Sequence, residues 1–463
     1  MEDKMQNIAE TESVTGKQPG SYKKRGPVLI NRNFALLWSG QAVSILGDFV
    51  FNTTLVVWIA VELAKGQSWS PLAVSGVFLA SSIPTFLFGP VAGVFVDRWD
   101  RRHTMMTADA IRAILSGLLL AVETIASAFR GGQLTLFWQL GIIYGVVFLV
   151  NLCDQFFRPS MMALIGDIVE EPLQPQAMGL GQVSVSLATL VGPALAPPLL
   201  LLFGVQWALL INACSFVVSF ITLLLIRSPR FSRSEKAEQT GSFVKDFMEG
   251  IRFLTKAPVL WALLATNMIA MLGGGALFAL DIFFATRNLH TPAALYGLLE
   301  TALGTGTIIG AILASIFVQR LGLVRTIWSS MLVLGVLVLV YARLTGFAPA
   351  VVVLFIIGVP LAALNVAAGP LLLKVTPREI IGRISSLFNP LSTVASIAGA
   401  GVAGYLASSV VQGFHIILFD LSFGPIDTIF SGACLLIFLG GIYALWQMRA
   451  TPVEQKHSEK VAR

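Results

Sequence analysis

Two acidic residues stand where acid is costly: Asp48 interrupts the run LGDFVFNTTLVVW, and Glu300 interrupts LYGLLETALGTG. An ionised side chain at the centre of a membrane-spanning helix costs at least ~2.5 kcal/mol and tends to be retained for function. Desolvation in an apolar cavity favours the neutral form of a carboxylic acid. A carboxyl group there can therefore take up a proton on one side of a barrier and release it on the other. That chemistry would make Asp48 a proton carrier, with Asn52 one helical turn away on the same face; the alternative is a carboxylate tied into a hydrogen bond at a helix contact. Glu300 admits three roles: a second proton site, a partner for a cationic substrate, or a vestibule charge. Asp281 and Glu123, near the ends of their apolar runs, read as vestibule or interface groups. Asp109 with Arg112, and Asp154 with Arg158, share a helical face within each pair. Both pairs read as structural rather than substrate-binding.

The elements that must position these groups are apolar stretches at roughly 34–63, 72–97, 104–129, 134–158, 178–204, 206–226, 259–285, 294–318, 325–344, 349–373, 384–411 and 428–448. About 20 apolar residues cross a bilayer core as a helix, so all twelve qualify. Composition agrees, with 56% hydrophobic residues, 12% charged residues and a mean hydropathy of +0.80, against roughly 25% charged in an average soluble domain. Of the 31 Lys and Arg, 26 fall in the tails and alternate connections, while the opposite connections hold only Lys65, Arg130, Arg287 and Arg343. By the positive-inside rule both termini are cytoplasmic and the chain is a multi-pass protein of the inner (plasma) membrane. The net charge of +6 then reflects topology and anionic-lipid contact, not nucleic-acid binding. Cys153, Cys214 and Cys434 are scattered in apolar spans and imply no disulfide framework. The first 32 residues lack an apolar h-region, so no cleaved signal peptide is expected.

The spacing divides the chain into a tail (1–33), a six-helix half (34–226), a linker (227–258), a second six-helix half (259–448) and a C-terminal tail (449–463). Within the linker, Phe243, Phe247, Ile251 and Leu254 predict a short amphipathic helix on the membrane surface. The halves echo each other: Gln182 precedes Gly192 by ten residues in span five, as Asn389 precedes Gly399 in span eleven. GVFVDRWDRR after span two has a degraded counterpart, SIFVQRLGLVR, after span eight. The expected architecture is all-α and integral to the membrane, with twelve transmembrane helices in two pseudo-symmetric halves. Parallel six-helix repeats belong to transporters with a midplane site between the halves.

On these residues the chain resembles the major facilitator superfamily. The most specific match is the loop after span two, where Gly93, Asp97, Arg98, Arg101 and Arg102 follow the family pattern and Asp100 stands in place of its usual second Gly. The resemblance implies a cytoplasmic gate in which Asp97 docks near the start of span eleven, with Asp100 taking the left-handed turn that Gly would supply. FFRPSMMALIGDIVEEPLQPQAMGLGQ, NACSFVVSFITLLLIR and GPIDTIFSGACLL narrow the similarity to the branch of macrolide-efflux and enterobactin-export proteins. Gly192 and Pro193 are similar to the antiporter pattern of span five, although Pro197 and Pro198 occupy positions where Gly is usual.

No GxxxxGK[ST] phosphate loop or HExxH metal spacing is present, and the four His are scattered, so the sequence offers no enzyme chemistry and no call for a cofactor. The expected activity is alternating-access export of a lipophilic or amphipathic small molecule, such as a macrolide-like drug or a siderophore, coupled to protons and carried out by a monomer in the bilayer. Proton-coupled import of a nutrient or metabolite is the alternative. In the export reading Asp48 carries the proton, Glu300 assists, and Asn52, Gln182 and Asn389 contact substrate. Phe51, Trp58, Trp261, Phe278, Phe284 and Phe388 are candidates for an apolar cavity wall.

Overall fold

The computed structural model describes residues 30–96, 98–128, 132–227, 252, 257–377, 381–410, 416–418 and 421–448. The expected surface helix of the linker, apart from Arg252, lies outside the described residues, as do Asp97 and both tails. Twelve helices long and apolar enough to cross a membrane are present among the described residues. They are α1 (Arg32–Trp58), α2 (Ser70–Val96), α3 (Arg101–Ala128), α4 (Gly132–Ile168), α5 (Gln174–Phe203), α6 (Val205–Leu225), α7 (Pro258–Phe283), α8 (Tyr296–Leu321), α9 (Leu323–Ala342), α10 (Phe347–Val375), α11 (Ile381–Tyr405) and α12 (Pro425–Met448). A two-stranded antiparallel hairpin, β1 (Ile416–Leu418) and β2 (Leu421–Phe423), joins α11 to α12.

Local chemistry sets the helix ends. The Asn31 side chain accepts the Phe34 amide at 2.8 Å and caps α1, satisfying one of the donors a helix start leaves open. Pro258 opens α7 at a position where a missing N–H costs nothing. Single glycines turn α5 into α6 and α8 into α9: Gly204 and Gly322 have φ of +90° and +85°, which side chains with a Cβ rarely tolerate. Asp100 does not take a left-handed turn; among the described residues His290 is the one non-glycine with positive φ. Its carboxylate instead accepts the His103 amide at 2.8 Å and caps α3.

Helices α1 to α6 pack among themselves, as do α7 to α12, and the halves meet chiefly along α2 against α11 and α5 against α8. We call the end where α1 starts and α12 stops the termini end, and its opposite the far end. One hydrophobic cluster contains side chains of both halves: it runs through the second half as far as Met448 and takes in Leu55 and Val74 of the first half together with Tyr296 and Leu354 of the second, four residues towards the far end. At the termini end Phe34, Met105, Phe157 and Leu164 form a cluster confined to the first half, while Leu260, Leu264 and Ile384 form one confined to the second. Hydrogen bonds cross between halves from Leu72 N–H to Ser408 Oγ at 3.0 Å and from Thr301 Oγ1 to the Leu190 carbonyl at 2.9 Å. The Cα of Gly297 faces the Pro193 carbonyl so closely that a Cβ would lie 1.7 Å from its oxygen. Gly93, Gly179 and Gly181, towards the termini end, have nothing within 4 Å of the corresponding position. Among the described residues, the bundle is therefore shut at the far end and parted at the termini end.

Candidate functional site

Between the halves lies a cavity of about 620 Å³, within the range that encloses drug-sized ligands. Helical periodicity builds its walls. Phe49, Asn52, Thr53 and Val56 form one face of α1, and Tyr296, Leu299, Glu300, Leu303 and Gly304 one face of α8; α7 contributes Gly274, Leu277, Phe278 and Asp281. The first half supplies neutral polar groups, Asn52, Thr53, Ser81, Asn151 and Thr189, and the second supplies the two carboxylates, Asp281 and Glu300. Among the described residues, no Lys, Arg or His lines the cavity.

Glu300 uses both oxygens. Thr53, across the halves, donates to Oε2 at 3.0 Å, and Tyr296, one turn back on α8, donates to Oε1 at 2.9 Å. Among the described residues, Asp281 accepts one bond, from Tyr341 at 2.7 Å. Tyr341 is buried and held by a ring cluster, with Phe284 at 4.8 Å and Phe430 at 6.2 Å between centroids. Asn52 donates to the Asp48 carbonyl at 2.9 Å, an i−4 bond within its own helix.

Of the residues expected from sequence, Glu300 and Asn52 share this cavity, whereas Asp48, Gln182 and Asn389 are not among its lining side chains. Asp48 is near enough to a different group of charges, Arg112, Asp154, Arg158 and Asp109, to interact with them electrostatically. Those four form one chain rather than two separate pairs. Arg112 lies 3.1 Å from Asp109 and 3.9 Å from Asp154, and Arg158 bonds Asp154 at 2.5 Å. Ser219 donates to Asp109 at 2.6 Å and accepts from Gln41 at 2.9 Å. Gln182 and Asn389 are exposed, in the parts of α5 and α11 nearer the termini end.

The expected gate residues are held within the first half. Arg101 pairs with Asp167 on α4, and Arg102 donates to the Leu223 and Leu224 carbonyls at 2.8 and 2.7 Å, where the C-terminus of α6 favours a cation. Arg98 is exposed and Gly93 faces open space. Of the six candidate aromatics, Phe278 lines the cavity, 5.4 Å from Phe78 of the other half; Phe51, Trp58 and Phe284 belong to the core. Sequence reasoning missed Thr53, Tyr296 and Tyr341 and read Asp281 as a vestibule or interface group, whereas it lines the cavity. The Tyr296/Glu300 spacing of one helical turn was the available signal.

A two-lobed bundle of twelve spanning helices around a central cavity defines a multi-pass membrane transporter. The sequence profile of the transmembrane secretion effector family matches residues 26–438, and the chain belongs to that family, within the major facilitator superfamily. It is 24% identical to an uncharacterised major-facilitator-type transporter of Bacillus subtilis, YkuC, over 92% of this chain and 95% of that one. Macrolide efflux protein A of Streptococcus pyogenes is likewise 24% identical, over 81% and 90% respectively. Among solved structures, a bacterial homologue of the iron transporter ferroportin in its inward-facing state superposes with a TM-score of 0.69 at 16% identity, covering 90% of this chain and 99% of that one.

Proposed function

We propose that this transporter exports lipophilic or amphipathic small molecules across the plasma membrane in exchange for protons. Its termini lie in the cytoplasm, and Glu300 is the proton site. The carrying observation is the pair of hydrogen bonds on Glu300, one of which crosses between the halves. A carboxylate accepts at both oxygens, whereas a carboxylic acid turns one of them into a donor. Protonation therefore weakens or reverses a bond that helps hold the far end shut. The bare carboxylate keeps the empty carrier in its present state, and a proton or a bound cargo releases it. Exchange follows when only the loaded forms cross, since a ligand shifts a conformational equilibrium by its differential affinity for the two states. With the termini inside, the parted end opens to the cytoplasm, where an exporter collects cargo. The efflux relatives favour this direction over import.

The test is accumulation of a panel of macrolides, dyes and siderophores in efflux-deficient cells, with and without a protonophore. Wild-type protein is expected to lower accumulation until the protonophore is added. Glu300→Gln should raise accumulation to the level of cells lacking the protein, while downhill exchange of labelled cargo in liposomes survives. If Glu300→Gln retains protonophore-sensitive export and Asp48→Asn loses it, the proton site is Asp48. Higher accumulation with wild-type protein would indicate import.

A further inference from the structure

We infer that the cargo is a lipophilic amine whose protonated nitrogen is held by Asp281. The inference rests on the reading of the chain as a transporter with this central cavity, but not on its direction or its coupling ion.

Glu300 has a donor on each oxygen, so its acceptor capacity is largely taken by Thr53 and Tyr296. Asp281 has a donor on Oδ1 alone, and no described protein group donates to Oδ2. Tyr341, fixed between Phe284 and Phe430, sets the orientation of that carboxylate. Among the described residues, the cavity wall contains no cation that could serve as a counter-ion. The nearby basic residues of the second half are engaged elsewhere: Arg287 stacks on Phe283 at 5.1 Å, and Arg343 bonds Ser431 and the Asp427 carbonyl. An N–H⁺ group fills the missing place, because a charged hydrogen bond to a carboxylate is short and about twice as strong as a neutral one.

The other walls define the rest of the ligand. Val56, Val77, Phe78, Leu277 and Phe278 are apolar and come from both halves, so an apolar body seated there touches both lobes. An anionic ligand would instead face two carboxylates with no basic partner. Glu300 is near enough to Asp281 to act on it electrostatically; a cationic nitrogen at Asp281 thus competes with the proton for the same pair of negative charges.

The test uses full-length protein in detergent and three dyes: rhodamine 6G, a lipophilic cation with N–H donors; fluorescein, an anion on the same ring skeleton; and Nile red, which is neutral. Fluorescence polarisation should show saturable binding tightest for rhodamine 6G and absent for fluorescein. Asp281→Asn should weaken rhodamine 6G about tenfold or more, the order expected for loss of a charged hydrogen bond, with Nile red binding unchanged. Unaltered rhodamine 6G affinity in Asp281→Asn, or fluorescein binding as tightly as rhodamine 6G, overturns the inference. So does the absence of saturable rhodamine 6G binding. If Asp281→Asn does not yield monodisperse protein, the ranking of the three dyes on wild-type protein decides. Selective cation binding by a protein that does not lower accumulation in cells would leave this inference standing and remove the export reading. Export of neutral or anionic compounds without cation selectivity would do the reverse.

Discussion

Gly297→Ala is expected to drive the far ends of the two halves apart and to stop transport without unfolding the protein. The reason lies in α5. Pro197 has no N–H to offer the Pro193 carbonyl, so that oxygen is free of the helical ladder, and it points at the Gly297 Cα of α8. An alanine Cβ would sit 1.7 Å from the oxygen and 2.5 Å from its carbon, and backbone on both sides leaves no flexible side chain to move. Overpacking of this kind costs typically ~1–3 kcal/mol. Because the clash lies between halves that already part at the other end, opening the far end relieves it. A bias of that size shifts a two-state equilibrium by about 5- to 150-fold. Spin labels at Leu202 and Leu295, both exposed near the far ends of α5 and α8, should report a longer distance in the variant, in a background lacking the three native cysteines. Gly399→Ala meets the Leu272 carbonyl at a comparable 1.9 Å, but both residues belong to the second half. That clash has no gate to open, so it should lower yield and thermal stability instead. Gly432→Ala, with nothing within 4 Å, should do neither. A Gly297→Ala protein with wild-type distances and wild-type transport would show that this contact does not control the far end.

The twelve spans were legible because length and apolar composition determine what can cross a bilayer. Their ends were less so. The fourth stretch was expected to stop at residue 158, yet α4 continues through Pro159 to Ile168, since hydropathy reports what lies in lipid and a helix can extend beyond it. At the site, Glu300 and Asn52 line the cavity, whereas Asp48 on the same helix as Asn52 does not. Residues four apart differ by about 40° around a helix. The cavity face of α1 centres on Phe49, Asn52, Thr53 and Val56, so the extra rotation takes Asp48 off that face, within electrostatic reach of Arg112. The depth of Asp281 along α7 suggested a vestibule or interface group; closure of the far end encloses that depth within the cavity. Internal repeats matched Gln182 with Asn389, and the two are alike in being exposed and outside the cavity lining; a repeat identifies equivalent positions without revealing which ones a cavity reaches. The join between Arg112 and Asp154 spans two helices, and no spacing along the chain encodes it.

That join is expected to carry a large stability effect. Arg112 is 3% exposed and Asp109 0%, so Arg112→Met should leave one fully buried carboxylate without its cation and weaken the hold on a second. Removing one partner of a buried pair costs about 3–5 kcal/mol, enough for the variant to give little monodisperse protein and a markedly lower melting temperature in detergent. Lysine should rescue poorly. The guanidinium is sandwiched at 4.2 Å from the Phe157 ring and 4.9 Å from Phe216, and it faces carboxylates on two helices, which a planar fork reaches and a single ammonium does not. Arg112→Met combined with Asp109→Asn should recover much of the loss, because the double variant removes the stranded charge while Asp154 keeps Arg158. A positive coupling energy in that double-mutant cycle would identify the chain as structural. The opposite pattern, in which Arg112→Met is as stable as wild type but does not transport, would place the four charges in the working cycle beside Asp48.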